Sequence, residues 1–423
     1  MVKAKQHNPW FWIPCLCAAE EIPSAVVIYV ALLMFLQFGA SETMAAVYGG
    51  LLFLPFLLKS FLYLGARKAA HIKWRICAVE LLVFFSLMWT AIYLSDSVVE
   101  EWVLFLHLFA LSLLCSWHEL YSRLYYHSML QPREQHIFRS TKMAASLVAL
   151  MLTYGLLIIV AGFFEVFFRS YQKAWAMESS LVAGVFLLFC VLNAVVLHAP
   201  HHPLKLALHH PQYDYHIFDR IRKTPNIMRV LVILFLLLLP QSLLFQVRVF
   251  FLMAPVEQGG LGCSLQDVGF AQGTVGVLAF SVGLIVGRYL TLVHGRRRLF
   301  WPTSFALTLS PFLYMLMALY PQPDNLFLIC CMAFLAQLLF GFGLNACGAF
   351  IAHVSGERYA SIVNYIYVPM VAALMLPPMM LSGCIVTELG YSDYFTLSAL
   401  LAPLALTALA VGRVKDILFA KEL

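Results

Sequence analysis

Apolar residues run through the chain in stretches of roughly 20, broken by short polar or charged segments rich in Gly, Pro, Asn, Asp and Ser. A stretch that long spans a hydrocarbon core about 30 Å thick as an α-helix. The pattern predicts twelve such helices, the first six at about 10–38, 43–64, 72–94, 99–121, 141–168 and 178–198. The second six fall at about 227–255, 266–291, 299–320, 325–352, 360–386 and 392–412. Between the two sets lies the longest polar stretch, HAPHHPLKLALHHPQYDYHIFDRIRKTPN. The expected fold class is an all-α membrane protein with twelve transmembrane helices. Its domains are an N-terminal six-helix bundle (1–198), a His-rich cytoplasmic linker (199–226) and a C-terminal six-helix bundle (227–423).

Composition agrees with that pattern. The 423 residues are 62% hydrophobic and 11% charged, less than half the charged share of a soluble domain. The segment after MVKAKQHNPWFW is too apolar for too long to be the core of a signal peptide, and no small-residue cleavage site follows it, so it reads as a retained first span. The ten cysteines include no CxxC pair and fall mostly inside predicted spans, which makes them packing residues.

Charge fixes the orientation. With the N-terminus in the cytoplasm, 23 of the 27 Lys and Arg residues fall on the inner side, while the outer loops hold only Arg169 and Lys173. That asymmetry predicts both termini and the central linker as cytoplasmic, and it accounts for the net charge of +6 without a nucleic-acid partner.

Two halves of similar length suggest an internal repeat. SETMAAVYGG (41–50) and SLQDVGFAQG (264–273) each open with a serine at an outer helix start and carry a glycine nine residues later. Ser264 and Asp267 have capping-box spacing. The layout is that of the major facilitator superfamily, in which two bundles are related by an axis along the membrane normal. Its basic loop motif survives in part as Gly295-Arg296-Arg297-Arg298 and is degraded in RKAAHIKWR (67–75).

In that superfamily the first and fourth helices of each half line a central cavity, so the polar residues should concentrate in spans 1, 4, 7 and 10. Span 1 holds Glu20, Glu21, Tyr29 and Gln37, and span 4 holds His107, Trp117, His118 and Glu119. Span 7 holds Gln241, Gln246 and Arg248, and span 10 holds Gln337 and Asn345. Elsewhere Lys59, Glu80, Glu165, Asn193, Gln272 and Asn364 are isolated exceptions. Ionisable groups at membrane depth cost about 2.5–3.5 kcal/mol each on insertion scales, which makes them functional candidates.

Glu20 and Glu21 stand out. They lie ten residues beyond Trp10, about 15 Å into the span. The alternative start at Pro23 leaves 17 residues for the span and makes the two acids partners of a helix N-terminus. Adjacent helical positions diverge by about 100°, so one carboxylate is expected to face the cavity and the other a neighbouring helix, with Lys59 as charge partner. Glu20, Glu21, Lys59 and Glu119 are therefore the candidate proton-coupling residues. For Lys59 the alternative is a side chain that snorkels to the interface, with Glu80 as its structural partner. Arg248, towards the outer end of span 7, either binds a substrate carboxylate in bidentate fashion or pairs with an outer-loop acid such as Glu257. With Gln241, Gln246, Asn345, His107 and Tyr29 it forms the candidate substrate-binding set.

A membrane redox enzyme is the rival class, given fourteen histidines. His107 and His118 share a helical face, but no other span offers a histidine in its interior to complete a haem site. No cofactor and no metal are expected, and the chain is not expected to be an enzyme.

Four segments carry a resemblance to a known family. LPFLLKSFLYLGAR (54–67), HELYSR (118–123), FGFGLNACGAFIAHVSGERYAS (340–361) and ELGYSDYFTLSALLAPLALTAL (388–409) resemble the AmpG-type muropeptide permeases of the major facilitator superfamily. The resemblance implies proton-driven import of anhydro-muropeptides, cell-wall disaccharide fragments, across the bacterial inner membrane for peptidoglycan recycling by alternating access. The implied partners are a polar, anionic small molecule, protons and the lipid bilayer, with the protein a monomer. At CAAEEIP (17–23) the family has a small, uncharged Gly- and Ser-rich turn, so Glu20 and Glu21 are departures from it. Two alternatives keep the fold: a transporter of an unrelated polar or anionic solute, and a non-transporting scaffold or sensor that binds a partner through the His-rich loop.

Overall fold

The computed structural model describes residues 8–66, 71–95, 98–198, 226–350 and 360–419, apart from the side chains at 59–66, 132 and 360–370. The described chain is helical throughout. The first half contributes α1 (Pro9–Gln37), α2 (Glu42–Ala66), α3 (Ile72–Leu94), α4 (Glu101–Met129), α5 (132–168) and α6 (Tyr171–Val196). The second contributes α7 (Ile227–Met253), α8 (Leu265–His294), α9 (Arg296–Leu319), α10 (Leu326–Phe350), α11 (360–389) and α12 (391–411), followed by the short α13 (Val414–Leu418). Gly390 separates α11 from α12 with φ at 75°, a conformation open to glycine at no steric cost. By length and composition, ten apolar helical stretches suffice to cross a membrane, the last of them (Val371–Val411) running through α11 and α12; α2 adds a shorter one, Glu42–Leu58.

Three helices differ in length from the hydropathy pattern. The fourth runs on to Met129 rather than ending near 121, the fifth starts at Pro132 rather than 141, and the sixth starts at Tyr171 rather than 178. Hydropathy marks where a helix becomes apolar, whereas caps mark where it begins. Pro132 occupies the first turn of α5 and Glu134 closes a capping box with Gln131, while Ser170 accepts the Lys173 amide at 3.3 Å to start α6. Both serines of the repeated motif also cap: Ser41 Oγ accepts the Met44 amide, and Ser264 and Asp267 form a reciprocal box.

The chain divides into two units, residues 1–40 with 51–210 and residues 41–50 with 211–423. The ten residues from Ser41 to Gly50 thus belong to the second unit, where Tyr391 donates to the Glu42 carboxylate. In the first unit, α3 packs along α6, and α1 is covered by α4, α5 and α6. Trp175, Tyr125, Phe186 and Phe35 are fully buried there. In the second unit α7 packs along the α11–α12 pair, tied by Tyr394 to the Leu243 carbonyl at 2.8 Å. α8 meets α10 at backbone distance. A Cβ at Gly283 would stand 2.2 Å from the Leu338 carbonyl oxygen, and one at Gly341 2.2 Å from that of Phe280. Small residues let membrane helices approach this closely. The faces turned away from these cores carry Trp89, Phe167, Val195 and Leu292, all more than half exposed, as apolar surfaces in lipid do.

Three helices contain a wider π-helical turn: Val26–Val30 in α1, Leu152–Leu157 in α5 and Gly269–Gly276 in α8. The first follows Pro23, which has no N–H to give to the turn before it. The π turns of α1 and α5 face each other, with Tyr29 and Tyr154 rings 4.5 Å apart. Such turns recur at functional sites.

Candidate functional site

The first unit gathers charge around the two glutamates. Asn8 caps α1 by accepting the Trp10 amide at 3.1 Å, with Pro9 as the first helical residue. Glu20 and Glu21 are therefore about 16 Å along the helix, and Pro23 lies inside it rather than at its start. Glu20 is buried and its Oε2 lies 3.8 Å from Nζ of Lys142 on α5. Glu21 lies near the Ser146 hydroxyl, one turn further along α5. Both carboxylates thus reach the same helix, although they leave α1 about 100° apart, because Lys142 and Ser146 stand at i and i+4. Glu119 pairs with Arg123 at 2.9 Å on α4, and both act electrostatically on Lys142. Glu119 also lies near enough to Glu21 to repel it. Three carboxylates and two cations are the described charged side chains of this cluster. The Lys59 side chain lies outside the described residues. Lys142 is the cation seen beside Glu20.

The remaining first-unit candidates are dispersed. Tyr29 stacks on Tyr154 in the interior. His107 lies between α3 and α4, stacked on Tyr93 at 4.8 Å and near Trp89, with Nδ1 bonded to the Val103 carbonyl at 2.7 Å. Glu165 accepts from Gln37, which in turn accepts from Trp175 Nε1 at 2.6 Å. Glu80 bonds His118 and Asn193, while its expected pairing with Lys59 lies outside the described side chains. Glu178, placed by hydropathy at a span boundary, is two turns inside α6 and fully buried.

In the second unit Arg248 is nine-tenths buried (9% exposed) on α7, its guanidinium 5.1 Å above the Phe245 ring. Among the described residues no carboxylate pairs with it; Glu257, its alternative partner, is exposed, and Nε of Arg248 is buried without an acceptor. Beside it runs a neutral polar chain. Gln272 donates to the Tyr314 hydroxyl at 2.9 Å, Gln337 donates to Gln272 at 3.4 Å, and Tyr314 lies within electrostatic reach of Arg248. The other predicted substrate contacts turn their amide N–H groups onto backbone. Gln241 bonds the Leu307 carbonyl at 2.7 Å, and Gln246 faces the carbonyls of Met379 and Ala46 at 3.1 and 3.2 Å. Asn345 bonds the Phe342 and Gly341 carbonyls of its own helix. A buried guanidinium without a counter-ion, flanked by an aromatic face and amides, is suited to receive an anion.

No protein-family model matches the sequence, and no curated protein sequence does. Solved structures do match. A bacterial homologue of the human lysosomal transporter Spinster, inward-facing and unoccupied, superposes with a TM-score of 0.73 at 13% identity, covering 100% of this chain and 99% of its own. The nucleoside transporter NupG superposes at 0.70 with 12% identity, over 96% of this chain and 99% of its own. A D-xylose–proton symporter superposes at 0.64 with 14% identity, over 94% and 95%. The chain has the major facilitator fold. It is a multi-pass membrane protein, as its helices require.

Proposed function

We propose that this chain is a proton-coupled secondary transporter of a polar, anionic solute of the anhydro-muropeptide class, working by alternating access. One observation carries the reading: among the described residues, ionisable side chains gather inside apolar helices without a full set of opposite charges. In the first unit Glu20, Glu21 and Glu119 meet Lys142 and Arg123, a set that one transported proton makes neutral in a medium that penalises net charge. The unpaired Arg248 suits a substrate carboxylate. A cell-wall disaccharide-peptide carries carboxylates and many amide groups, which matches an arginine beside a glutamine–tyrosine chain. The resemblance of four segments to the AmpG-type permeases favours that cargo, and the names of the structural neighbours, transporters of nucleosides and of a sugar with protons, favour transport in general.

The test is uptake by the purified protein in liposomes carrying an inward proton gradient. Radiolabelled anhydro-muropeptide should accumulate, and an uncoupler should abolish accumulation. Xylose and uncharged nucleosides should not compete. If accumulation persists with the uncoupler, coupling to protons is wrong. If a neutral solute competes fully, an anionic cargo is wrong.

A further inference from the structure

Inside the first unit, α3, α4 and α6 bring Glu80, His118 and Asn193 together. Glu80 and Asn193 have no exposed surface and His118 is 2% exposed. His118 Nε2 lies 3.1 Å from Glu80 Oε1, and Asn193 Nδ2 donates to the same oxygen at 2.6 Å. Among the described residues three polar atoms at this junction have no hydrogen-bond partner: Glu80 Oε2, His118 Nδ1 and Asn193 Oδ1. Buried polar atoms are rarely left so, and three at one junction call for a ligand.

We propose that Glu80, His118 and Asn193 form a proton-binding site, separate from the charged cluster around Glu20. With Asn193 donating to Glu80 Oε1, an ionised Glu80 takes its second bond from His118 Nε2–H. That arrangement leaves the junction with one net negative charge and three bare acceptors, of which His118 Nδ1 and Glu80 Oε2 can take a proton. One proton from water, added to either of these two atoms, brings the net charge to zero. The product is an imidazolium–carboxylate pair or a neutral imidazole beside a carboxylic acid. Dry surroundings favour the neutral state.

Among the described residues Glu80 has no ion-pair partner besides His118. Cys15 on α1, Cys77 on α3 and Cys190 on α6 are the titratable groups within electrostatic reach of Glu80, and Cys190 Sγ donates to the Cys77 carbonyl at 3.6 Å. Lys73 faces Cys77, one turn further from Glu80 along α3. Phe186 of α6 closes the junction, edge-on to His118 at 6.3 Å. Glu119 follows His118 on α4 but bonds Arg123. One helix therefore presents neighbouring residues to two buried acid groups, so a proton bound at either bears on the position of α4.

The inference stands without the transport reading, because its readout is proton binding by the full-length protein in lipid nanodiscs with no solute present. Infrared difference spectra between pH 9 and pH 5 should show a buried carboxylic-acid or imidazolium signal. That signal should vanish in the double variant Glu80→Gln, His118→Gln, with about one proton fewer taken up per molecule. Asn193→Ala keeps both titrating groups and removes one donor from the carboxylate, so it should hold the proton about tenfold more tightly. This variant serves if the double variant does not fold. Unchanged proton uptake in the double variant, or an Asn193→Ala titration identical to that of the natural protein, overturns the proposal.

Discussion

The two units hold their buried charge in opposite ways. In the first, the carboxylates have partners among the described side chains: Glu20 lies by Lys142 of another helix, Glu119 pairs with Arg123 one turn along α4, and Glu80 is hydrogen-bonded to His118. In the second, one arginine sits on an aromatic ring beside neutral amides and a phenol, with no carboxylate partner among the described residues. Small side-chain motions can redistribute charge within a compensated set, and one proton completes its neutrality. A lone buried cation is neutralised only by something that arrives. Under the proposed function, proton chemistry falls to the first unit and anion capture to the second.

The largest effect tests the second half of that contrast. Arg248→Met should cut uptake of an anionic solute about 100-fold, the scale of a lost charge-assisted bidentate contact. The same change should leave the protein equally or more stable, because it removes an unpaired buried charge. Transport and thermal melting measured on one preparation check both outcomes. If melting falls steeply while the remaining folded protein transports normally, Arg248 is a structural residue and the contrast fails.

The next effect separates the two adjacent glutamates. Glu20→Gln removes the partner of Lys142, which is partly exposed, and should cost about 1–3 kcal/mol. Exchanging the two residues, Glu20→Lys with Lys142→Glu, should recover most of that loss. Glu21→Gln keeps a polar group beside Ser146 and removes no ion pair, so its stability should hold while the proton dependence of uptake disappears. Uptake that keeps its pH profile in Glu21→Gln places the transported proton elsewhere in the first unit, with the Glu80–His118 junction next in line.

Much of this arrangement was legible in the sequence. Twelve helices, the depth of Glu20 and Glu21, and the serine caps at 41 and 264 follow from hydropathy, spacing and cap chemistry. Lys142 was hidden because hydropathy begins the fifth helix at 141, which makes a lysine there look like a cytoplasmic end residue. The signal for its true depth was local: Gln131-Pro132 with Glu134 three residues after the cap starts the helix ten residues earlier. Glu178 was hidden for the same reason, with Ser170 as the overlooked cap. The joining of Glu80 to His118 and Asn193 had no such signal. Three residues on three helices meet only through the rotation of each helix about its axis, and weak amphipathicity in lipid leaves that rotation unmarked. Gln241, Gln246 and Asn345 show the converse limit. Polar residues in a span satisfy backbone carbonyls as readily as they meet a solute.

The smallest effect sharpens the contrast most finely, because it concerns neutral groups. Tyr314→Phe removes the acceptor of Gln272 and leaves the ring in place. A membrane hydrogen bond of this kind is worth about 0.6–1.5 kcal/mol. If Gln272, Tyr314 and Gln337 only brace α8, α9 and α10, that loss appears wholly as stability, and the concentration dependence of uptake is unchanged. If they extend the anion site, the apparent KM rises several-fold with kcat preserved, and the rise disappears in an Arg248→Met background, because residues serving one bound group are not additive. A double-mutant cycle on uptake therefore decides whether the lone arginine of the second unit acts by itself or as the charged end of a polar chain.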